Sequence, residues 1–235
     1  MLTAGPLVES LARIPFFAGL DQGALERVAA GTRTRRFRRG EIIFHAGDPG
    51  NALYIIVSGH VKISLPSEEG DEAILATLSP GDVFGELALL DGAPRSATAT
   101  ALLATEAVIL PREQFRELVA TEPAVRDVLL ASLAGELRRL TTHVEELHFL
   151  DMTGRLAARL VRLAREAAAA GADGPDGSIR LRATLTQAEL ASMVGCTRQS
   201  VNKLLGQFAD DGLVRVDREG ILVLDMAGLV AAARR

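Results

Sequence analysis

The stretch from Phe84 to Ala99 reads Phe-Gly-Glu-Leu-Ala-Leu-Leu-Asp-Gly-Ala-Pro-Arg-Ser-Ala-Thr-Ala. Gly85 lets the backbone approach a ligand closely, because glycine has no Cβ. Residues 85–90 can begin a short helix, whose first N–H groups lack partners within the helix and can bind an anion. Arg95 carries a planar guanidinium that matches two oxygens of a phosphate group. This stretch, named the cassette below, therefore predicts a phosphate site.

Three further residues of the cassette extend the predicted site. The Ser96 hydroxyl and the Ala97 amide add neutral donors, whereas Glu86 would repel a phosphate but can accept a hydrogen bond from a sugar hydroxyl. A phosphate beside a ribose hydroxyl fits a 3′,5′-cyclic nucleotide. An ordinary salt bridge between Glu86 and Arg95 would explain the same two residues, and their spacing alone favours neither interpretation.

Short strand-like runs surround the cassette and alternate with polar turn signals rich in Gly, Pro, Asp and Asn. The runs are Glu41–Phe44, Leu53–Val57, Val61–Leu65, Ala73–Leu78, Ser96–Ala101 and Ala104–Leu110. Evenly spaced short strands predict a β-barrel, a sandwich or a β-roll. Ahead of them, the helical spacing of apolar residues predicts two short helices between Leu7 and Ala30.

Helical signals follow Pro111, first over Arg112–Ala120 and then in a long helix that begins at Pro123. The long helix carries apolar residues at heptad a and d spacing, namely Leu133, Leu137, Leu140, Val144 and Leu147. Such a seam, flanked here by charged residues, is typical of helices that coil around a partner. We therefore predict a dimer contact, with burial of the seam within its own domain as the alternative.

A second motif lies at residues 185–205. Thr186 and Glu189 have the spacing of a helix-capping box, Gly195 permits a tight turn, and Thr197 can cap a second helix. Two strands, 214–216 and 221–224, follow and predict a hairpin wing. The pattern predicts a winged helix-turn-helix, with a generic pair of packed helices as the alternative.

The second helix of this motif has one polar face. Val201, Leu204 and Leu205 are predicted to pack inward, which leaves Arg198, Gln199, Asn202 and Lys203 facing outward. Arginine at the start of a recognition helix pairs with guanine O6 and N7, and glutamine suits adenine N6 and N7. The motif therefore predicts contact with double-stranded DNA.

The cassette resembles, without a gap, the phosphate-binding cassette of cyclic-nucleotide-binding domains, which the Crp/Fnr (catabolite-activator) regulators share with eukaryotic cyclic-nucleotide-dependent kinases. The order of cassette, long helix, Asp151 hinge, helix-turn-helix and wing is that of the Crp/Fnr family. The resemblance implies an α+β fold. It consists of an N-terminal cyclic-nucleotide-binding β-roll (a double-stranded β-helix jelly roll) at 1–122, a long dimerisation helix at 123–150 and a C-terminal winged helix-turn-helix domain at 151–235.

The resemblance also implies residue roles in the effector site. Glu86 would bind the ribose 2′-hydroxyl, and Arg95 and Ser96 the cyclic phosphate. The expected site comprises Gly85, Glu86, Leu87, Ala88, Arg95, Ser96, Ala97, Thr141 and Thr142. Members that bind cyclic AMP (cAMP) reach the adenine through two adjacent hydroxyl residues of the long helix. The corresponding positions of this chain hold Leu140 and Thr141. The resemblance makes cAMP the first expectation, and because Leu140 is apolar, cyclic GMP (cGMP) or no effector are the alternatives.

The resemblance assigns DNA contacts to the second motif. The expected set is Thr186, Gln187, Thr197, Arg198, Gln199, Ser200, Asn202 and Lys203. Family members typically have Arg-Glu and then Arg or Lys four residues after the Glu, where this chain has Arg198, Gln199 and Lys203. A glutamate accepts from cytosine N4, whereas a glutamine both donates and accepts. We therefore expect a half-site related to the family's TGTGA, with an altered or less strict base preference at the base pair that Gln199 contacts.

Charge and composition limit the kinds of partner and site that this chain can have. Residues 152–235 carry 12 Lys and Arg against 9 Asp and Glu, whereas residues 1–151 carry 14 against 21, so a polyanion contact is expected in the second half. The single cysteine excludes an internal disulfide and an all-cysteine iron–sulfur site within one chain. The four histidines have no metal-binding spacing. We expect no signal peptide, because no basic segment precedes an apolar one at the start, and no membrane span, because no apolar run reaches about 18 residues.

These observations predict a cytoplasmic homodimer that binds a two-fold pseudopalindromic DNA site and contacts RNA polymerase. We expect no membrane contact, no metal and no enzymatic activity. One alternative keeps the fold and is a DNA-binding protein that needs no effector. Another is a regulatory subunit that binds a cyclic nucleotide without any DNA role, as in the kinases that share the cassette.

Overall fold

The computed structural model describes residues 4–66, 72–169, 171, 177–181 and 186–234. The chain divides into two compact units, Met1–Leu137 and Arg138–Arg235. The division falls inside a long helix, so the three domain bounds expected from the sequence remain a prediction. Within the described ranges, no helix has both the length and the apolar character that a membrane span requires.

The first unit begins with helices and continues as a β-roll. Its leading helices are α1 (Ala4–Ala12) and α2 (Gln22–Gly31), joined through a 3-10 turn at Pro15–Phe17. The strands are β1 (Arg33–Phe37), β2 (Ile42–Phe44), β3 (Ala52–Ser58), β4 (Val61–Pro66), β5 (Glu72–Leu78), β6 (Val83–Phe84), β7 (Thr98–Ala101) and β8 (Thr105–Pro111). The short helix α3 (Leu87–Leu90) lies between β6 and β7.

The strands form two antiparallel four-stranded sheets, in the orders β1-β8-β3-β6 and β2-β7-β4-β5. One core cluster draws buried side chains from both sheets, among them Phe37, Ile56, Phe84 and Ala99. The predicted α+β fold with a β-roll is confirmed. The sequence did not predict β1 and β6 as strands, because only Phe37 of β1 is buried and β6 has two residues.

Two helices follow the roll, α4 (Arg112–Thr121) and the long α5 (Pro123–Phe149). Val125 and Leu129 of α5 are buried in the core that also holds Phe115 of α4. Further along α5 the seam residues are exposed, with relative exposures of 66% for Leu137, 39% for Leu140, 54% for Val144 and 45% for Leu147. The later half of the seam is therefore apolar surface in the single chain.

The second unit contains α6 (Met152–Ala169), α7 (Gln187–Val194), α8 (Arg198–Asp210) and α9 (Met226–Ala232), together with the strands β9 (Ile179–Arg180), β10 (Val214–Asp217) and β11 (Gly220–Val223). Asp151 caps α6, because its Oδ1 accepts from the Gly154 amide at 2.8 Å. The strands form an antiparallel sheet in the order β10-β11-β9, whose β10–β11 hairpin is the expected wing. The composition of residues 171–177 predicts a surface loop, of which residues 172–176 lie outside the described residues.

Candidate effector site and nucleic-acid interface

The guanidinium of Arg95 lies at the centre of the cassette. The residue is only 5% exposed, and Nη1 donates to the Gly85 carbonyl at 2.6 Å while Nη2 donates to the Ala52 carbonyl at 2.7 Å. Nε is buried and has no hydrogen-bond partner among the described residues. Gly85 has a φ of +84°, and a Cβ there would collide with Nη1 of Arg95. The cassette therefore needs glycine at 85 for two independent reasons.

Aromatic rings complete the surroundings of Arg95. Its Cζ lies 4.2 Å from the ring centroid of Phe44 and 5.7 Å from that of Tyr54. Burial lowers the pKa of Arg95, while Tyr54 and Glu86 act in the opposite direction. Arginine stays charged under all ordinary conditions. The site therefore holds a positive charge that is removed from water and has a donor to spare.

Glu86 lies directly before α3, and its carbonyl accepts from the amides of Leu89 and Leu90. Burial raises the pKa of the Glu86 carboxyl, and the nearby Glu136 raises it further, while Arg95 opposes the shift. The described hydrogen bonds of Arg95 go to carbonyl oxygens rather than to this carboxylate. The arrangement is therefore not the simple salt bridge that was considered as the alternative.

The remaining expected effector residues fall into two groups. Leu87 and Ser96 are exposed, whereas Ala88 and Ala97 are buried beside them in the cassette. Thr141 and Thr142 lie on the part of α5 that belongs to the second unit, where both are exposed. Their contribution to a base-binding site remains a prediction.

Arg112 is a residue of this site that sequence reasoning missed. Its Nη2 donates to the Gly50 carbonyl at 2.6 Å and to the Ala88 carbonyl at 2.9 Å. From the other side, the Arg95 amide donates to the Asp48 carbonyl at 2.8 Å. Two arginines thus hold the 45–51 loop against the cassette. Arg112 is 62 residues from Gly50 in sequence, so no local pattern could have indicated the contact.

The helix-turn-helix forms in the second unit with the predicted caps. Thr186 Oγ1 accepts from the Glu189 amide at 3.1 Å, and Glu189 Oε2 accepts from the Thr186 amide at 2.7 Å, which confirms the capping box. Gly195 ends α7 with a φ of +71°, and Thr197 Oγ1 accepts from the Ser200 amide at 3.1 Å to cap α8. These local interactions fix where α7 ends and where α8 begins.

Helix α8 presents the polar face that its sequence predicts. Its inner residues Val201, Leu204 and Leu205 are buried, and the outer residues Arg198, Gln199, Asn202 and Lys203 are exposed. Of the other expected DNA contacts, Thr186 and Thr197 are exposed, and Gln187 and Ser200 are half-buried. A helix that exposes long polar and basic side chains at its first two turns can enter a major groove.

Comparison with known proteins identifies both parts. A family model described as a cyclic nucleotide-binding domain matches residues 34–122, and one described as a Crp-like helix-turn-helix domain matches residues 154–232. The CRP-like cAMP-activated global transcriptional regulator of Mycobacterium tuberculosis is 36% identical over 226 residues, covering 96% of this chain and 99% of that protein. The cAMP-activated global transcriptional regulator CRP of Escherichia coli O157:H7 is 35% identical over 182 residues, covering 77% and 84%.

Solved structures agree with these relatives. The c-di-GMP-responsive global regulator CLP of Xanthomonas campestris superposes with a TM-score of 0.75 at 27% identity, covering 87% of this chain and 100% of that one. The named relatives are transcription regulators rather than enzymes, in agreement with the expectation from the sequence. The chain belongs to the Crp/Fnr family of transcription regulators and joins a cyclic nucleotide-binding domain to a Crp-like helix-turn-helix domain.

Proposed function

We propose that this regulator is a homodimer whose DNA binding is controlled by cAMP. The observation that carries the proposal is the state of Arg95, which is 5% exposed and has its Nε donor without a partner among the described residues. A buried cation with an unused donor is costly unless a ligand completes it. A cyclic phosphate would supply the missing acceptor and the opposite charge.

The Glu86 carboxyl and the hydroxyls of α5 would select the rest of the ligand. The Glu86 carboxyl, next to Gly85, is largely removed from water. Its carboxylate would accept a hydrogen bond from the ribose 2′-hydroxyl. Thr141 and Thr142 would reach the base, with the second subunit contributing across the seam. The relatives from Mycobacterium tuberculosis and Escherichia coli are named as cAMP-activated, which favours adenine.

The exposed seam of α5 supports the homodimer. Leu137, Val144 and Leu147 are each at least 45% exposed in the single chain, and a second copy of α5 would bury them in heptad register. A two-fold dimer would place two α8 helices about 34 Å apart, in successive major grooves of a pseudopalindromic site. In the cytoplasm, such a regulator would act on RNA polymerase from its DNA site.

A second candidate keeps the fold without the effector. Leu140 stands where cAMP-binding members have a hydroxyl, and an apolar residue there adds to the seam. A dimer stabilised in this way would hold its DNA-binding form without a nucleotide.

Calorimetric titration of the whole chain with cAMP, cGMP and c-di-GMP tests the effector. We expect saturable cAMP binding at one site per chain and weaker binding of the other two. The c-di-GMP arm is included because the Xanthomonas relative is named as responsive to it. Dilution heats alone for all three nucleotides at millimolar concentration would reject the effector proposal and favour the second candidate.

The identity of residue 199 is expected to set the preference for one base of each half-site. Replacing Gln199 with Glu removes the amide donor and leaves a pure acceptor, so binding should move toward a G·C pair that offers cytosine N4. We expect a change of about 1–3 kcal/mol in discrimination at that position only. Selection from randomised half-sites, performed with both proteins, measures it. The exposed Gln207, further along α8, gives the control Gln207→Glu. If wild type and Gln199→Glu selected equal sequences, Gln199 would not be the residue that contacts this base pair.

A further inference from the structure

The charge of Arg95 is balanced in an unusual way. Within the described residues its hydrogen bonds go to the carbonyls of Gly85 and Ala52, and its Cζ lies over the ring of Phe44, 4.2 Å from the ring centroid. Carbonyl dipoles and the negative face of an aromatic ring stabilise a guanidinium without carrying a full negative charge. Neither of them has to leave when an anion arrives.

A carboxylate partner would act differently. It would neutralise the guanidinium fully, and an incoming phosphate would have to displace it before binding. Side-chain ordering also costs free energy on binding, and a guanidinium already fixed in place avoids that cost. The surroundings of Arg95 therefore keep it both ordered and available.

We propose that Phe44 is a positioning residue for Arg95: its ring fixes the guanidinium in the plane that receives the ligand phosphate. The inference rests on the proposed cyclic-nucleotide site and assigns it a residue outside the cassette. Phe44 contacts Arg95, and in this proposal it acts on affinity through the arginine.

The backbone of β2 is built to turn this ring inward. A regular strand points alternate side chains to opposite faces, so Ile43 and Phe44 would face opposite sides of the sheet. The β2–β7 pairing instead shifts register between Ile42 and Phe44. Such an irregularity re-aims a side chain. Ile43 and Phe44 consequently both pack on the core shared by the two sheets.

Neighbouring rings hold Phe44 in turn. Its centroid lies 5.6 Å from that of Tyr54 and 5.9 Å from that of Phe84, while Tyr54 and Phe84 are stacked at 5.1 Å. Phe84 immediately precedes Gly85, whose carbonyl accepts from Arg95. The aromatic group therefore connects β2, β3 and β6 to the arginine at the point where the cassette begins.

The test compares Phe44→Leu with Phe37→Leu. Both remove a phenyl ring from the same core, but Phe37 packs edge-on against Tyr54 and lies beneath the guanidinium of Arg35, with no described ring contact to Arg95. We expect Phe44→Leu to weaken cAMP binding about 5- to 30-fold, which is the range for a desolvated cation–π contact. Phe37→Leu should change the affinity less than about twofold, although either variant lowers the Tm.

Two further variants separate positioning from packing. Phe44→Tyr keeps the ring and should restore binding to within about twofold of wild type. A ring-fluorinated phenylalanine at position 44 keeps the shape but weakens the negative face of the ring, so it should bind cAMP less well than wild type. Equal losses for Phe44→Leu and Phe37→Leu, or full affinity with the fluorinated ring, would overturn the proposal.

A measurement without nucleotide keeps this inference distinct from the effector proposal. In protein labelled with ¹⁵N-arginine, the Nε–H signal of Arg95 can be assigned from its loss in Arg95→Lys. We expect that signal to move and to exchange faster with water in Phe44→Leu, and to stay in place in Phe37→Leu. A wild-type chain that binds no cyclic nucleotide rejects the effector proposal, and an Nε–H signal unmoved by Phe44→Leu rejects the positioning role.

Discussion

Arg95→Lys is expected to weaken cAMP binding by about 100-fold or more, because the lysine keeps the charge but loses the fork that bonds two phosphate oxygens. The guanidinium also donates hydrogen bonds to the carbonyls of Gly85 and Ala52, and an ammonium at this position can make only some of these bonds. A modest decrease of the Tm should therefore accompany the loss of affinity. Calorimetric titration and thermal unfolding of the same preparations measure both effects.

Arg36→Lys is the matched control for this substitution. Arg36 is an exposed arginine of β1 that pairs with Glu106 at 3.4 Å, and an exposed pair of this kind contributes little to stability. We expect wild-type affinity and Tm from it. If Arg95→Lys also bound cAMP as wild type does, Arg95 would not be the phosphate ligand and the site assignment would fail.

Placing charge on the α5 seam is expected to separate the subunits. Leu137→Glu combined with Val144→Glu puts two carboxylates on each chain where the dimer would bury apolar side chains, and burial of unpaired charge is strongly unfavourable. The single chain should keep its fold, because these residues are 66% and 54% exposed in it. Analytical ultracentrifugation should show monomers, and affinity for a palindromic site should fall at least 100-fold as the two half-sites lose their linkage.

The control for the seam introduces two glutamates elsewhere on the helix. Ala131 and Arg138 are exposed and stand off the heptad seam, so Ala131→Glu with Arg138→Glu should leave the dimer intact. A dimer that survives the seam substitutions would show that another surface joins the subunits.

The sequence predicts those parts of the structure that depend on interactions between residues close together in the chain. The capping box of Thr186 and Glu189 and the turn at Gly195 each depend on residues within a few positions, and the structure has them as expected. The strand runs with alternating apolar residues also form. Strand β1 escaped prediction because arginines occupy most of it, and its pairing with β8 decides its structure instead.

The contacts that order the candidate effector site have no local signature. Arg112 donates hydrogen bonds to Gly50 across 62 residues of sequence, and Phe44 contacts Arg95 from a strand whose pairing shifts register at that point. The identity of a residue predicts what it can bind, but the fold decides which residues support it. The cassette therefore predicted Arg95 as the candidate phosphate ligand, whereas the contacts of Phe44 and Arg112 with this region were not predicted.

The coupling between cyclic nucleotide and DNA tests the central claim most directly. The measurement is fluorescence anisotropy of a labelled palindrome with two TGTGA-related half-sites, titrated with the whole protein at fixed salt, with and without saturating cAMP. We predict that cAMP tightens DNA binding at least about fivefold, and that the DNA tightens cAMP binding by the same factor. Identical DNA affinity with and without cAMP, in a protein that binds both, would contradict the account.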